Sequence, residues 1–124
     1  MEERKAMIRK YPWIEYENGG TIFDEIPCGW HNIVKDMCKE IQSVLEKYHL
    51  VEFYRVLEAK EKWHMLRWYD YIDDSLFDNQ SMPREIVQIV CDYEELSKST
   101  CMICGAPKDK HKKVCDTCES IYGI

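Results

Sequence analysis

Two cysteine pairs near the C-terminus, Cys101-Met-Ile-Cys104 and Cys115-Asp-Thr-Cys118, stand ten residues apart and constrain this chain more than any other feature. Each Cys-x2-Cys presents both sulfurs from one tight turn, and four thiolates complete a tetrahedral shell with no open position. The spacing is that of a zinc ribbon, with one structural Zn²⁺ held by Cys101, Cys104, Cys115 and Cys118. A closed shell leaves no coordination position for a substrate, so catalysis at the ion is not expected. Gly105-Ala-Pro107 follows the first pair and supplies the permissive backbone and the stop that a metal knuckle needs. A disulfide-stapled secreted knot would use the same four cysteines, but it requires an even total and a leader. The chain has seven cysteines, and its start, Met1-Glu-Glu-Arg-Lys-Ala6, is charged with no apolar stretch behind it. Reduced thiols and a cytoplasmic location are therefore expected.

A length of 124 residues suits one body plus a small appendage, and the division expected is an acidic body over 1–97 and the ribbon over 98–124, forming one compact unit. Four Trp, eight Tyr and three Phe are a heavy aromatic load, enough to fill a core and leave some rings for a partner. Nowhere do about eighteen apolar residues run together, so no membrane span is expected.

The net charge of −6 is unevenly spread. Pro12 to Ser97 carries eighteen acidic residues against eight basic ones, whereas the first eleven residues and the stretch from Lys98 onward each carry a net +2. Four thiolates around Zn²⁺ would add two further negative charges. An acidic body disfavours direct binding to nucleic acid, which needs cationic side chains to displace counterions. It favours a basic protein as partner.

The pattern predicts an α+β fold in which two main helices pack on a small antiparallel sheet, with the C-terminal zinc ribbon beside them. The first helix should follow Cys28-Gly29 and run to about His49. Trp30, Ile33, Val34, Met37, Ile41, Val44, Leu45 and Tyr48 repeat at three-and-four spacing along it, and Lys35, Asp36, Lys39, Glu40, Gln42 and Glu46 line the other side. The second should start with Ser81 as cap and Pro83 in its first turn, burying Ile86, Ile89, Val90, Tyr93 and Leu96. Glu52–Ala59 and Met65–Ile72 are rich in aromatic and branched residues and predict a β-hairpin or adjacent strands, with Lys60-Glu61-Lys62 between them. Asn18-Gly19-Gly20 predicts a turn joining a weak strand pair, Trp13–Tyr16 and Thr21–Phe23.

Several other constellations have a plain and a functional meaning. The loop Lys108-Asp-Lys-His-Lys-Lys113 can meet a phosphate backbone through Lys108, Lys110, Lys112 and Lys113, or it can simply be solvated and offset the thiolate charge. His111 in that loop is expected to be a bystander. Cys28 and His31 share one helical turn, a poor arrangement for a nucleophile and its base, and are expected to be structural. Cys38 and Cys91 fall inside helical patterns and are expected to be small buried hydrophobes. Asp70, Asp73, Asp74 and Asp78 form an acidic stretch without the spacing or glycine of a calcium loop, so a surface loop facing a basic partner is expected. With the aromatic strand residues Trp68, Tyr69 and Tyr71 they make the expected partner surface. No phosphate loop, dinucleotide fingerprint, Gly-x-Ser-x-Gly or His-Glu-x-x-His occurs, so no enzyme is expected.

Taken together, Cys28-Gly-Trp30 opening a helix, Ala59-Lys-Glu-Lys62 leading to Leu66-Arg-Trp-Tyr69, a helix ending near Ser97, Cys101-x-x-Cys-Gly-Ala-Pro107 and Cys115-x-x-Cys118 resemble a family of small bacterial and bacteriophage proteins. That family joins a Gly-Trp helix, a Lys-Glu-Lys strand, a Leu-Arg-aromatic-Tyr segment, a further helix and a terminal zinc ribbon. The likeness spans roughly residues 28–118; it departs at Trp63-His64-Met65, where the family carries an aromatic and glycines, and over the first 27 residues. Small phage proteins of this kind include anti-CRISPR inhibitors of type II RNA-guided nucleases. The resemblance therefore implies a stoichiometric inhibitor that docks on a Cas9-like nuclease, whose nucleic-acid channels are basic, and blocks DNA loading or cleavage. The alternatives are a nucleic-acid-binding ribbon protein acting as a regulator and a zinc-stabilised accessory module that bridges proteins.

Overall fold

The computed structural model describes residues 2–73 and 82–123. Helix α1 spans Glu2–Lys10, α2 His31–Lys47, α3 Arg84–Ser97 and α4 Asp116–Tyr122, and strands β1 (Tyr54–Lys62) and β2 (Met65–Ile72) form one antiparallel sheet. The class is α+β, as the pattern predicts.

The expected face of α2 is the one buried: Val34, Met37, Ile41 and Leu45 are fully covered, and Cys38 joins them. The helix closes by donation from Leu50 N to Leu45 O, with His49 at φ 59 in the position usually given to glycine. Leu50, just past that turn, is buried.

The hairpin is longer than predicted. Lys60-Glu61-Lys62 belongs to β1, and the turn is only Trp63-His64, with Lys62 paired to Met65. Both turn residues have positive φ, 56 and 65, as a type I′ connection demands. Between Val56 and Glu58 the register shifts and Leu57 bulges out. Tyr54, Val56, Ala59, Leu66 and Trp68 face inward and meet Trp13, whose ring lies edge-on to Tyr54 at 5.1 Å and to Trp68 at 6.4 Å. Trp68 Nε1 donates to the Tyr54 hydroxyl at 2.9 Å, and that hydroxyl donates to Asp70 Oδ2 at 2.6 Å.

Helix α3 begins after Pro83, which caps it rather than entering its first turn; the predicted cap Ser81 lies outside the described residues. Ile86 is fully buried, and Ile89, Val90 and Tyr93 are half-buried. Leu96 is a correction: it points outward, and Ser97 takes the inner position. The reason is backbone satisfaction at the sheet edge. Ser97 Oγ accepts Leu66 N–H at 2.8 Å, and Glu94 accepts Trp68 N–H at 2.9 Å, so α3 covers the free edge of β2. Cys91 is a second correction, because it is exposed, whereas Cys38 is buried and burial pushes its thiol far up.

Residues 11–27 keep the predicted turn but not the strands. Pro12–Ile14 and Ile22–Asp24 are single turns of 3-10 helix joined by one bridge, Glu15 to Thr21. Thr21 and Asp24 cap each other's backbone reciprocally, which pulls the segment out of an extended ladder. No helix among the described residues is long and apolar enough to cross a membrane.

Candidate metal centre and partner surfaces

The four ribbon cysteines converge. Their sulfurs lie within 4.8 Å of one another, with Cys104 and Cys115 at 3.6 Å, and none is in a disulfide. A tetrahedral ion at about 2.3 Å from each sulfur needs S···S separations of about 3.8 Å, so the cluster fits a metal ion. The first knuckle forms because Cys101 Sγ accepts N–H from Ile103 (3.4 Å) and Cys104 (3.5 Å), while Gly105 turns the chain at φ 82. In the second, Cys115 caps the start of α4 by accepting Cys118 N–H at 3.5 Å. Burial pushes the Cys101 thiol up, but backbone N–H groups of Cys104, Cys115 and Ile103 outweigh it and bring it down to about 6. Burial, followed by the neighbouring thiols, pushes Cys118 up to about 12. An ion drives all four to thiolates.

The ribbon is seated on Cys28-Gly29-Trp30, which forms a 3-10 turn leading into α2. Gly29 N donates to Met102 O at 2.9 Å, Trp30 Nε1 to Thr100 O at 3.1 Å, and Cys28 Sγ lies 3.4 Å from Ile103 O. A Cβ on Gly29 would stand 2.1 Å from Cys101 O and 2.6 Å from the Met102 carbonyl carbon, both backbone atoms. Gly29 is thus the one residue type that lets the first knuckle touch the body. Cys28 faces the ribbon, while His31 packs edge-on against Phe23 at 5.3 Å.

The predicted partner residues do not share one surface. Trp68 is 5% exposed and belongs to the core; the alternation of a strand sends it inward and its neighbours outward. Tyr69 and Tyr71 are exposed. Asp70 lies within β2 and is tied to Tyr54, because burial beside that hydroxyl, not a solvated loop, is its setting. Burial pushes its carboxyl above the usual range, against the opposing hydrogen bond from Tyr54. Asp73 follows β2 and its N–H donates to Phe53 O; Asp74 and Asp78 lie outside the described residues.

The ribbon-loop lysines are largely engaged at home. Lys112 pairs with Asp116 (2.7 Å) and Glu119 (2.5 Å), Lys110 with Glu95 (3.4 Å), and Lys108 reaches the Lys98 and Asp109 carbonyls. Lys113 is exposed, as is His111, which is not among the residues of the metal cluster.

A different acidic feature emerges between residues 12–25 and β1. Glu15, Glu17, Glu25 and Glu58 line an open groove of about 800 Å³ together with Arg55, Leu57 and Tyr71. Tyr16 lines this groove, and its hydroxyl accepts Ala59 N–H at 3.0 Å. Burial raises the Tyr16 pKa, and the carboxylates of Glu25, Glu58 and Asp24 raise it further, a local sign of negative potential. These glutamates come from three separate stretches of chain, and no local motif announces them.

No family model matches this chain, and neither a curated protein nor a solved structure matches it.

Proposed function

We propose that this chain is a non-catalytic binding protein, stapled by Zn²⁺, that docks on a basic protein through the acidic groove beside β1. The observation that carries the proposal is that four carboxylates, Glu15, Glu17, Glu25 and Glu58, line one groove with a single cation, Arg55. Carboxylates on a concave surface focus negative potential outward. Leu57, 64% exposed next to them, offers a partner apolar area to bury. Four cysteine sulfurs favour a thiophilic ion, and a closed tetrahedral shell with no redox role is the habit of structural zinc.

The partner class follows from the motif resemblance given above: a type II RNA-guided nuclease in the cytoplasm of a bacterial host, whose strongly basic channels complement such a groove. Occupying a channel stoichiometrically would block DNA loading or cleavage without chemistry by the inhibitor. The alternative contact through Lys108, Lys110, Lys112 and Lys113 is weakened by the ion pairs that already hold Lys110 and Lys112.

The test is size-exclusion co-elution of the zinc-loaded chain with a nuclease–guide RNA complex, beside the double variant Glu17→Lys/Glu25→Lys. Co-elution that weakens with salt, disappears in the variant and parallels inhibition of target cleavage is expected. No co-elution at low salt removes the nuclease as partner; co-elution indifferent to the charge reversal removes the groove.

A further inference from the structure

The hairpin carries a second surface of opposite charge. On its solvent face Lys60 stands directly across from Arg67, and Lys62 across from Met65. Like charges opposite one another weaken a two-stranded sheet, so Lys60 and Arg67 work against the fold that holds them. Outside the backbone ladder, neither the Lys62 nor the Arg67 side chain has a hydrogen bond or ion pair with any described residue. Lys60 has one, to Glu58 at 3.1 Å, with both side chains about two-fifths exposed, and such surface pairs release readily. Glu61 belongs to the other face and is occupied by the His64 N–H at 2.9 Å.

Beside these cations are exposed aromatic rings. Trp63 is 85% exposed and sits at the hairpin tip on left-handed backbone that a glycine would adopt without strain. Tyr69, 41% exposed, flanks Arg67 across from Glu58. Strained backbone and repelling charges around an uncovered tryptophan form a local conflict that a ligand would resolve.

We infer that the tip and outer face of the β1–β2 hairpin bind single-stranded nucleic acid, with Lys60, Lys62 and Arg67 on phosphates and Trp63 and Tyr69 stacked on bases. Cations spaced two residues apart along a strand, with one ring, Tyr69, on their face and another, Trp63, at the adjoining tip, are the elements of a single-strand platform. A paired duplex hides its base faces inside its stack and cannot use the rings. An acidic peptide would satisfy the cations but leave Trp63 and Tyr69 without a stacking partner. The net charge of −6 is no obstacle, because Glu15, Glu17 and Glu25 gather in the groove toward the other end of the sheet, leaving Glu58 as the groove carboxylate that borders the cations of the tip. This inference does not rest on the nuclease proposal, and the groove variants leave its residues untouched.

The test uses the zinc-loaded full chain and fluorescence anisotropy with labelled twelve-nucleotide oligo-dT and a mixed-sequence RNA of the same length. Controls are the corresponding duplex and a labelled poly-glutamate peptide. Saturable binding to the single strands is expected, with log Kd rising against log salt at a slope of about 2 for three phosphate contacts. Trp63→Gly relaxes the turn and Arg67→Gln relieves the repulsion, so both should melt no lower than the parent. Trp63→Gly should nonetheless weaken binding about 5- to 150-fold, the loss of one stacked base. That opposition of stability and affinity separates a binding role from a structural one. Failure to bind either strand at low salt, affinity unmoved by both variants, or tighter binding to poly-glutamate or duplex would each overturn the assignment.

Discussion

The body and the ribbon of this protein are held together by different physics. Among the described residues, the body buries eighteen apolar side chains in one cluster, including Trp13, Trp30, Tyr54, Ile41 and Leu66 at 0% exposure. The described part of the ribbon buries four, and three of those are cysteines: Cys101, Cys115 and Cys118, with Val114. Full burial of one large apolar side chain is worth about 1.5–3 kcal/mol, so the body can offset its chain entropy by burial and the ribbon cannot. An ion held by the four cysteines would close that gap in the ribbon. The two meet at Gly29, where backbone rests on backbone.

Metal removal should split the regions most sharply. Binding of a structural ion to four thiolates is worth about 10–16 kcal/mol, so chelation, or Cys118→Ser, should abolish ribbon order. The body should keep its fold at reduced stability. Amide exchange reads this directly: protection lost in 101–118 but retained in α2 and β2 is the expected outcome, and loss in both at once would show that the body also depends on the ion. Trp13→Ala is the converse experiment. Emptying the centre of the body should cost about 3–5 kcal/mol in a denaturant midpoint while leaving the metal affinity within a factor of a few.

Gly29→Ala attacks the seam instead of either region. The new methyl would overlap Cys101 O, a backbone atom with no rotamer by which to escape. A cost of about 3 kcal/mol and a weaker hold on the metal are expected, read by thermal melting and a chelator competition. Both quantities should move together, unlike in the two preceding variants. A change in melting with metal affinity intact would mean that the ribbon folds without its seat.

How much of this was legible in the residues depends on the range of the contact responsible. The four ligands were readable because each pair is made by one turn of chain, and α2 because its apolar period survives over seventeen residues. Helix α1 was not, since Glu2–Lys10 is mostly charged and depends on Met7 and Ile8 packing against the body. Strand alternation could have separated Trp68 from Tyr69, as adjacent strand residues cannot both face a partner. The Trp63-His64 turn lacks the usual turn residues, so its tightness had no local signal. The acidic groove and the seat of Gly29 join residues far apart in the chain, and the motif Cys28-Gly-Trp30 was visible without its reason.

The smallest expected effect concerns pH, where the two regions should respond with opposite sign. Acid protonates the ribbon thiolates and releases the ion, so the ribbon loses stability as pH falls. Asp70 in the body does the reverse. Burial raises its carboxyl above the usual value of 3.8, only partly countered by the Tyr54 hydroxyl, so the folded state takes up a proton before the unfolded one. Between the ordinary and the raised pKa the native state binds more protons; body stability therefore rises as pH falls through that window and is lost again as pH rises through the folded value. Asp70→Asn should flatten this slope in urea midpoints of the chelated chain between about pH 4 and about pH 7, with a change under about 1 kcal/mol at neutrality because its amide oxygen still accepts from Tyr54. Asp70→Ala leaves that hydroxyl, which also receives the Trp68 N–H, without an acceptor and should cost about 1–3 kcal/mol across the range. Equal behaviour of the two variants would mean that Asp70 matters to the body only through its charge.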